Sequence, residues 1–263
     1  MRIIMRKLLA GLAAAVVVAS ATFASAEDSK PTIVLVHGAF ADGSSWNGVI
    51  GRLEKDGYSV VAVANPLRSV KSDADYVRRI VTGLKTDVVL VGHSYGGSVI
   101  SEAADQAPNV RSLVYVAAFA PDVGESAVGL SGKFPGSTLG PTLAPPVELP
   151  GGGKDLYIQQ NKFHDQFAAD VSKTDARLMA VAQRPVTEAA LTEAATTAAW
   201  KKIPSWSVYG DADKNIPPQA LAWMAERAHS KDTVVVKGAS HVVMLSHPDA
   251  VAKVIEEAAA TSR

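Results

Sequence analysis

The sequence predicts an α/β chain built on a doubly wound, mostly parallel sheet of six strands. Short runs of β-branched and aliphatic residues recur, and each leads into a longer segment with apolar residues at helical spacing. The runs are continuous rather than alternating, as in strands covered by helices on both faces. The rhythm lapses between about residues 122 and 202, which marks a helical cap inserted over the strand ends.

Each element follows from its residues. Residues 32–36, Thr-Ile-Val-Leu-Val, are the first strand, and they run into His37-Gly38-Ala39-Phe40 and a polar loop to Ser45. Trp46, Val49, Ile50 and Leu53 recur at helical spacing, and Gly57 closes that helix. Residues 59–63 are the second strand, ended by Asn65-Pro66. Tyr76, Val77, Ile80, Val81 and Leu84 mark the second helix. Residues 88–91 are the third strand, a helix follows to about residue 107, and residues 113–117 are the fourth strand. In the insertion, residues 124–150 are rich in glycine, proline, serine and leucine and show no clear strand. Residues 155–199 are mostly helix-forming. Strand, helix, strand and helix then return at 205–209, 218–228, 233–236 and 249–260. In strand order 2-1-3-4-5-6 the direction of winding reverses between strands 1 and 3. Ligands bind beyond the carboxyl ends of the strands at such a point, where the loop 37–45 meets the turn 92–97.

The first residues do not read as part of the fold. Arg2, Arg6 and Lys7 precede a short apolar run, and Ala24-Ser25-Ala26 is an A-x-A cleavage site. Residues 1–26 are therefore expected to be a secretory signal peptide, with residues 27–263 as a single domain and the product exported to the periplasm or medium. Loss of three basic residues from 26 leaves 23 against 26 acidic ones, so the mature charge is about −3. That balance gives no support for nucleic-acid or anionic-membrane binding. With no second long apolar stretch, no membrane association is expected after cleavage. The absence of cysteine excludes disulfides and thiolate metal sites.

The chemistry concentrates in residues 88–97, Val-Val-Leu-Val-Gly-His-Ser-Tyr-Gly-Gly. Gly92-His-Ser-Tyr-Gly96 matches G-x-S-x-G, a strained strand-to-helix turn that lifts Ser94 clear of the sheet edge. Side chains at Gly92 or Gly96 would clash there, and the helix that follows aims its free N–H groups at the same spot. A serine hydroxyl needs a base. Of six histidines, His93 is expected to point away from the serine, His37 to brace loops, and His164, His229 and His247 have no distinctive setting. His241, in Gly238-Ala-Ser-His, leaves the same sheet edge as Ser94 and is the expected base. A carboxylate must orient it. Asp211 and Asp213 in Tyr209-Gly-Asp-Ala-Asp both qualify; Asp213 is preferred, and Asp122 is the spare candidate. The oxyanion donors are expected to be the backbone N–H of Tyr95 and one from the loop after strand 1, Ala39 or else Phe40.

Together, Val36-His-Gly-Ala, the Ser94 turn, Tyr209-Gly-x-x-Asp213-x-x-Ile-Pro217 and Ser240-His241 resemble the α/β-hydrolase superfamily over residues 32–260. The order Ser, Asp, His matches too. Leu-Val-Tyr-Val-Ala-Ala-Phe-Ala-Pro-Asp122 resembles the branch holding plant methyl-ester esterases and hydroxynitrile lyases, with bacterial esterase-like members. The resemblance implies a catalytic Ser94, Asp213 and His241 with oxyanion donors at Ala39 and Tyr95. Only about five residues precede the first strand after cleavage, so the fold is expected without the usual leading hairpin.

Phe40, Trp46, Phe119 and Met244 are the expected walls of an apolar pocket. Leu130, Phe134, Leu139, Leu143, Phe163, Phe167 and Trp200 are further apolar candidates from the insertion and its end. No arginine cluster or acidic pair near the motifs suggests a strongly charged substrate, so the expected partner is a small to medium neutral carboxylic ester. Amides are less favoured, because only His241 is available to protonate an amine leaving group. No metal or cofactor is implied. The same residues also suit a cofactor-free lyase, a perhydrolase, or a ligand sensor with vestigial hydrolysis. A nucleotide site is disfavoured, since the first turn lacks G-x-G-x-x-G and no P-loop motif occurs.

Overall fold

Strands and helices alternate along the chain in a computed structural model that describes residues 30–261. The expected signal peptide, residues 1–26, lies outside the described residues. The elements run β1 (Thr32–Val36), α1 (Asn47–Lys55), β2 (Val60–Val63), α2 (Val70–Gly83), β3 (Val88–His93), α3 (Gly96–Ala104) and β4 (Val110–Val116). An excursion follows with α4 (Ala127–Ser131), β5 (Val147–Glu148), β6 (Lys154–Leu156), α5 (Gln160–Phe167), α6 (Lys173–Ala182), β7 (Val186–Thr187) and α7 (Glu188–Thr192). The alternation resumes with β8 (Ser205–Gly210), α8 (Pro218–Arg227), β9 (Thr233–Val236), α9 (Val243–Ser246) and α10 (Pro248–Thr261).

The main sheet has the order β2-β1-β3-β4-β8-β9, and its pairs are parallel. The central strands β1 and β3 are buried throughout, while the edge strands β2 and β9 are partly exposed. Right-handed crossovers place α1 and α2 on opposite faces, because the chain winds outward from β1 and then back across it to β3. Packing follows suit: α1 lies on α10 and α2 on α3. In register, Val36 of β1 pairs with Gly92 of β3, so the loop after β1 and the Ser94 turn emerge side by side. β4 starts at Val110, three residues earlier than expected, because exposed Arg111 interrupts the apolar run. No described helix is long and apolar enough to cross a membrane.

The excursion between β4 and β8 holds a feature that the composition hides. β5, β6 and β7 form a small antiparallel sheet where no strand is expected. Strands of two or three residues are too short to show alternation. This cap is tied down by Arg68, in the loop after β2. Its guanidinium binds Asp155 at 2.7 Å and the Pro185 carbonyl at 2.8 Å, while Thr187 donates its N–H to the Leu67 carbonyl and its hydroxyl to the Arg68 carbonyl.

Candidate active site

Ser94 sits at the apex of the turn between β3 and α3 with φ of +53°. A non-glycine residue held there stores about 1–3 kcal/mol of strain and persists only where its surroundings fix it. Two glycines do so. A Cβ on Gly92 would lie 2.6 Å from the Gly96 carbonyl oxygen, and one on Gly96 would lie 2.5 Å from that of Val36. The Ser94 N–H donates to the Val116 carbonyl, and its own carbonyl accepts from Gly97 and Phe119.

The residues expected as nucleophile, base and acid form one line. Ser94 Oγ is 2.8 Å from His241 Nε2, and His241 Nδ1 is 2.6 Å from Asp213 Oδ2. An ionised carboxylate only accepts, so Nδ1 carries the proton and Nε2 is left to accept from the serine hydroxyl. Asp213 Oδ1 accepts from the N–H groups of Asn215 and Ile216, and all three side chains of the line are buried. The other candidate acids stand elsewhere. Asp211 accepts from the Gly238 N–H on the surface, and Asp122 pairs with Lys201. His93 points away from Ser94, as expected, but it is not idle. Its Nε2–H donates to the His241 carbonyl at 3.1 Å, with the two rings 4.8 Å apart. Burial, and then the neighbouring His241, hold its pKa well below the usual imidazole range, so it acts as a neutral brace.

The backbone around the serine distinguishes the two candidate second donors. The Phe40 N–H is taken by the Arg184 carbonyl at 3.1 Å, whereas no described acceptor faces the amides of Ala39 and Tyr95. Gly38 brings the two amides together, since a Cβ there would lie 2.6 Å from Ser94 Cβ and 3.2 Å from Tyr95 N. The Tyr95 side chain anchors its end of the turn. Its hydroxyl donates to Asp73 Oδ2 at 2.9 Å, and Asp73 also accepts the Arg68 N–H. Burial raises the pKa of Asp73.

A cavity of about 400 Å³ opens above Ser94 and His241. Phe40 and Phe119 line it as expected, and Leu139, Leu143 and Phe167 face them from the cap. The Phe167 ring lies 5.2 Å from His241 and 6.1 Å from Phe40. Trp46 and Met244 do not line it, which corrects the expectation. Both are fully buried: Trp46, just before α1, turns inward and stands edge-on to His93 at 6.4 Å, and Met244 lies in the buried first half of α9. Sequence reasoning gave no role to Asn215, whose only signal is its place just past the acid, and read Ile216 only as part of the motif ending in Pro217. It also missed Glu188, a carboxylate at the cavity wall. No lysine or arginine lines the cavity.

Known proteins agree with this architecture. Residues 33–254 match the alpha/beta hydrolase family. The alpha/beta hydrolase nvfD of Aspergillus novofumigatus is 30% identical over 250 residues, covering 88% of this chain and 97% of that protein. Methylesterase 2 of Arabidopsis thaliana is 35% identical over 128 residues, 43% of this chain and 49% of that one. Among solved structures, polyneuridine aldehyde esterase superposes with a TM-score of 0.75 at 21% identity, covering 87% of this chain and 98% of that one. By its family match, its sheet order and the setting of Ser94, this chain belongs to the alpha/beta hydrolase family.

Proposed function

We propose that this hydrolase cleaves small to medium neutral carboxylic esters through an acyl-enzyme on Ser94. The observation that carries the reading is the unbroken line Asp213–His241–Ser94 at the floor of a largely apolar cavity. His241 Nε2 takes the hydroxyl proton as Ser94 Oγ attacks the ester carbonyl, and Asp213 stabilises the resulting imidazolium. The amides of Ala39 and Tyr95 receive the oxyanion. His241 returns its proton to the departing alcohol, then activates water to release the acid. The absence of cationic side chains from the wall favours neutral substrates. The esterase name of a plant relative supports the same class.

Hydrolysis of p-nitrophenyl acetate, butyrate and octanoate tests the reading, with Ser94→Ala alongside. Repeated turnover that the variant loses is expected, with product analysis showing free acid. A single burst per molecule would favour a sensor or another acceptor, and unchanged turnover in the variant would remove Ser94 as nucleophile. We also infer export, supported by the positive start, apolar run and A-x-A site of residues 1–26. N-terminal sequencing of the exported product should start at Glu27.

A further inference from the structure

A buried carboxylate behind the turn has no part in the chemistry above. Asp73, in the first turn of α2, is fully buried. An acid near a helix start is favoured by the helix dipole, but an exposed side chain would serve that end as well. Capping does not account for it either, because Ser69 Oγ already accepts the Ser72 N–H at the start of α2. Taking a carboxylate out of water is costly unless donors meet it. Those that meet Asp73 are neutral. The Arg68 N–H lies 3.1 Å from Oδ2 and 3.2 Å from Oδ1, the Ser72 hydroxyl 3.3 Å from Oδ1, and the Tyr95 hydroxyl 2.9 Å from Oδ2. The loop that aims the Arg68 amide is itself strained, since Leu67 is held at φ of +63°. Asp73 is thus fixed from one side by backbone and holds a phenol on the other.

Tyr95 enters the proposed reaction through its backbone, as one of the two amides that receive the oxyanion. It is tied at two points. Its carbonyl accepts the Ser98 N–H at 3.0 Å and the Val99 N–H at 3.3 Å as α3 begins, and its buried ring ends on Asp73. Were the hydroxyl released, the ring could shift in the core and turn the Ser94–Tyr95 peptide with it. A hydrogen bond weakens steeply as its angle closes, and an oxyanion donor is useful only if it is aimed before charge develops. We propose that Asp73 is a positioning residue: by holding the Tyr95 hydroxyl, it keeps the Tyr95 amide aimed at the oxyanion formed when Ser94 attacks. This rests on the ester-hydrolase reading of Ser94.

The test compares the wild type with Tyr95→Phe, Asp73→Asn, Asp73→Leu and the double variant of Tyr95→Phe with Asp73→Leu. Turnover of p-nitrophenyl butyrate is expressed per site titrated with diethyl p-nitrophenyl phosphate, so a loss of folded enzyme cancels. Affinity for 1,1,1-trifluoro-2-pentanone is measured beside it, because the hemiketal of that ketone with a serine carries the oxyanion. Tyr95→Phe removes the hydroxyl and keeps the ring. It should lower kcat per site about tenfold and weaken the ketone by a similar factor, with KM changed less than about twofold. Asp73→Asn keeps an acceptor and should fall between the wild type and Asp73→Leu. The double variant should be no slower than Asp73→Leu, since both changes break one contact. Unchanged kcat and ketone affinity in Tyr95→Phe, or losses that add in the double variant, overturn the proposal. A fall in titratable sites alone also overturns it, by making the contact purely structural. Tyr95→Phe decides by itself if Asp73→Leu does not fold. Fluorine NMR of the ketone adduct separates the two readings. An adduct that Tyr95→Phe weakens, without ester turnover by the wild type, would sink the ester reading and leave Asp73 in its role. Turnover with kcat and ketone affinity unmoved in Tyr95→Phe would do the reverse, and neither turnover nor adduct would sink both.

Discussion

The two walls of the cavity are built by different physics. The lower wall is the carboxyl edge of a six-stranded parallel sheet, where ladder register brings the loop carrying Ala39 out beside the turn carrying Ser94 and Tyr95. The upper wall is a cap of short helices and strands of two or three residues, held to the body partly by polar ties at Arg68 and Gln166. The line of hydrogen bonds that would carry proton transfer rests on the rigid wall, while much of the surface that would meet the rest of a substrate comes from the lightly held one. Substitutions in the body should therefore act mainly on kcat, and substitutions in the cap on KM and choice of substrate.

The largest expected effect sharpens this contrast. Asp213→Asn should lower kcat by about 10⁴, since the amide leaves His241 in the wrong tautomer, whereas Asp211→Asn on the surface should change it less than about twofold. Equal losses would mean that the line through His241 does not govern the rate. Next, Gly92→Ala should cost several kcal/mol or abolish folding, because its Cβ meets backbone rather than a movable side chain. A normal melting curve for that variant would show the turn to be less fixed than its packing implies. Body and cap part company most plainly at Phe167. Phe167→Ala should raise KM about tenfold for apolar esters, with kcat reduced far less, as steady-state kinetics on the p-nitrophenyl series would show. A kcat-only loss would place the ring in the chemistry instead.

The last effect falls on stability rather than on turnover, and it is a pH dependence seated in the body. His37 Nδ1–H donates to the Gly38 carbonyl and Nε2 accepts the Asn65 N–H, so the buried ring is kept neutral and its pKa falls from 6.5 to about 4, chiefly through burial. The unfolded chain takes up this proton near pH 6.5, the native one only near pH 4. Stability linked to His37 is thus intact above pH 6.5 and falls as pH drops toward 4, by about 3 kcal/mol in all. Urea unfolding of the wild type and His37→Asn between pH 7 and 4 would read it, and identical slopes would remove His37 as a source.

Sequence reading reached the lower wall far better than the upper one. Strand runs, the glycines around Ser94 and the Asp213 loop announce themselves because each is a local pattern with a steric cause. Trp46 and Met244 show the limit: an aromatic or thioether side chain looks the same in sequence whether it faces a cavity or the core. Arg68 was invisible for another reason. Its side-chain partners in the cap, Asp155 and Pro185, lie 87 and 117 residues away, and no local rule joins them.

The hold of the cap on the Phe40 amide reaches beyond substrate choice. The carbonyl of Arg184 fixes the peptide next to Ala39, and Arg68 links the cap to Asp73 and so to Tyr95. Both stretches of backbone that would flank the negative charge of the proposed reaction thus take part of their alignment from the upper layer. A chimaera that received its cap from a relative would inherit that relative's selectivity at full speed only if the graft restored these two junctions. Otherwise it would turn over slowly whatever it bound.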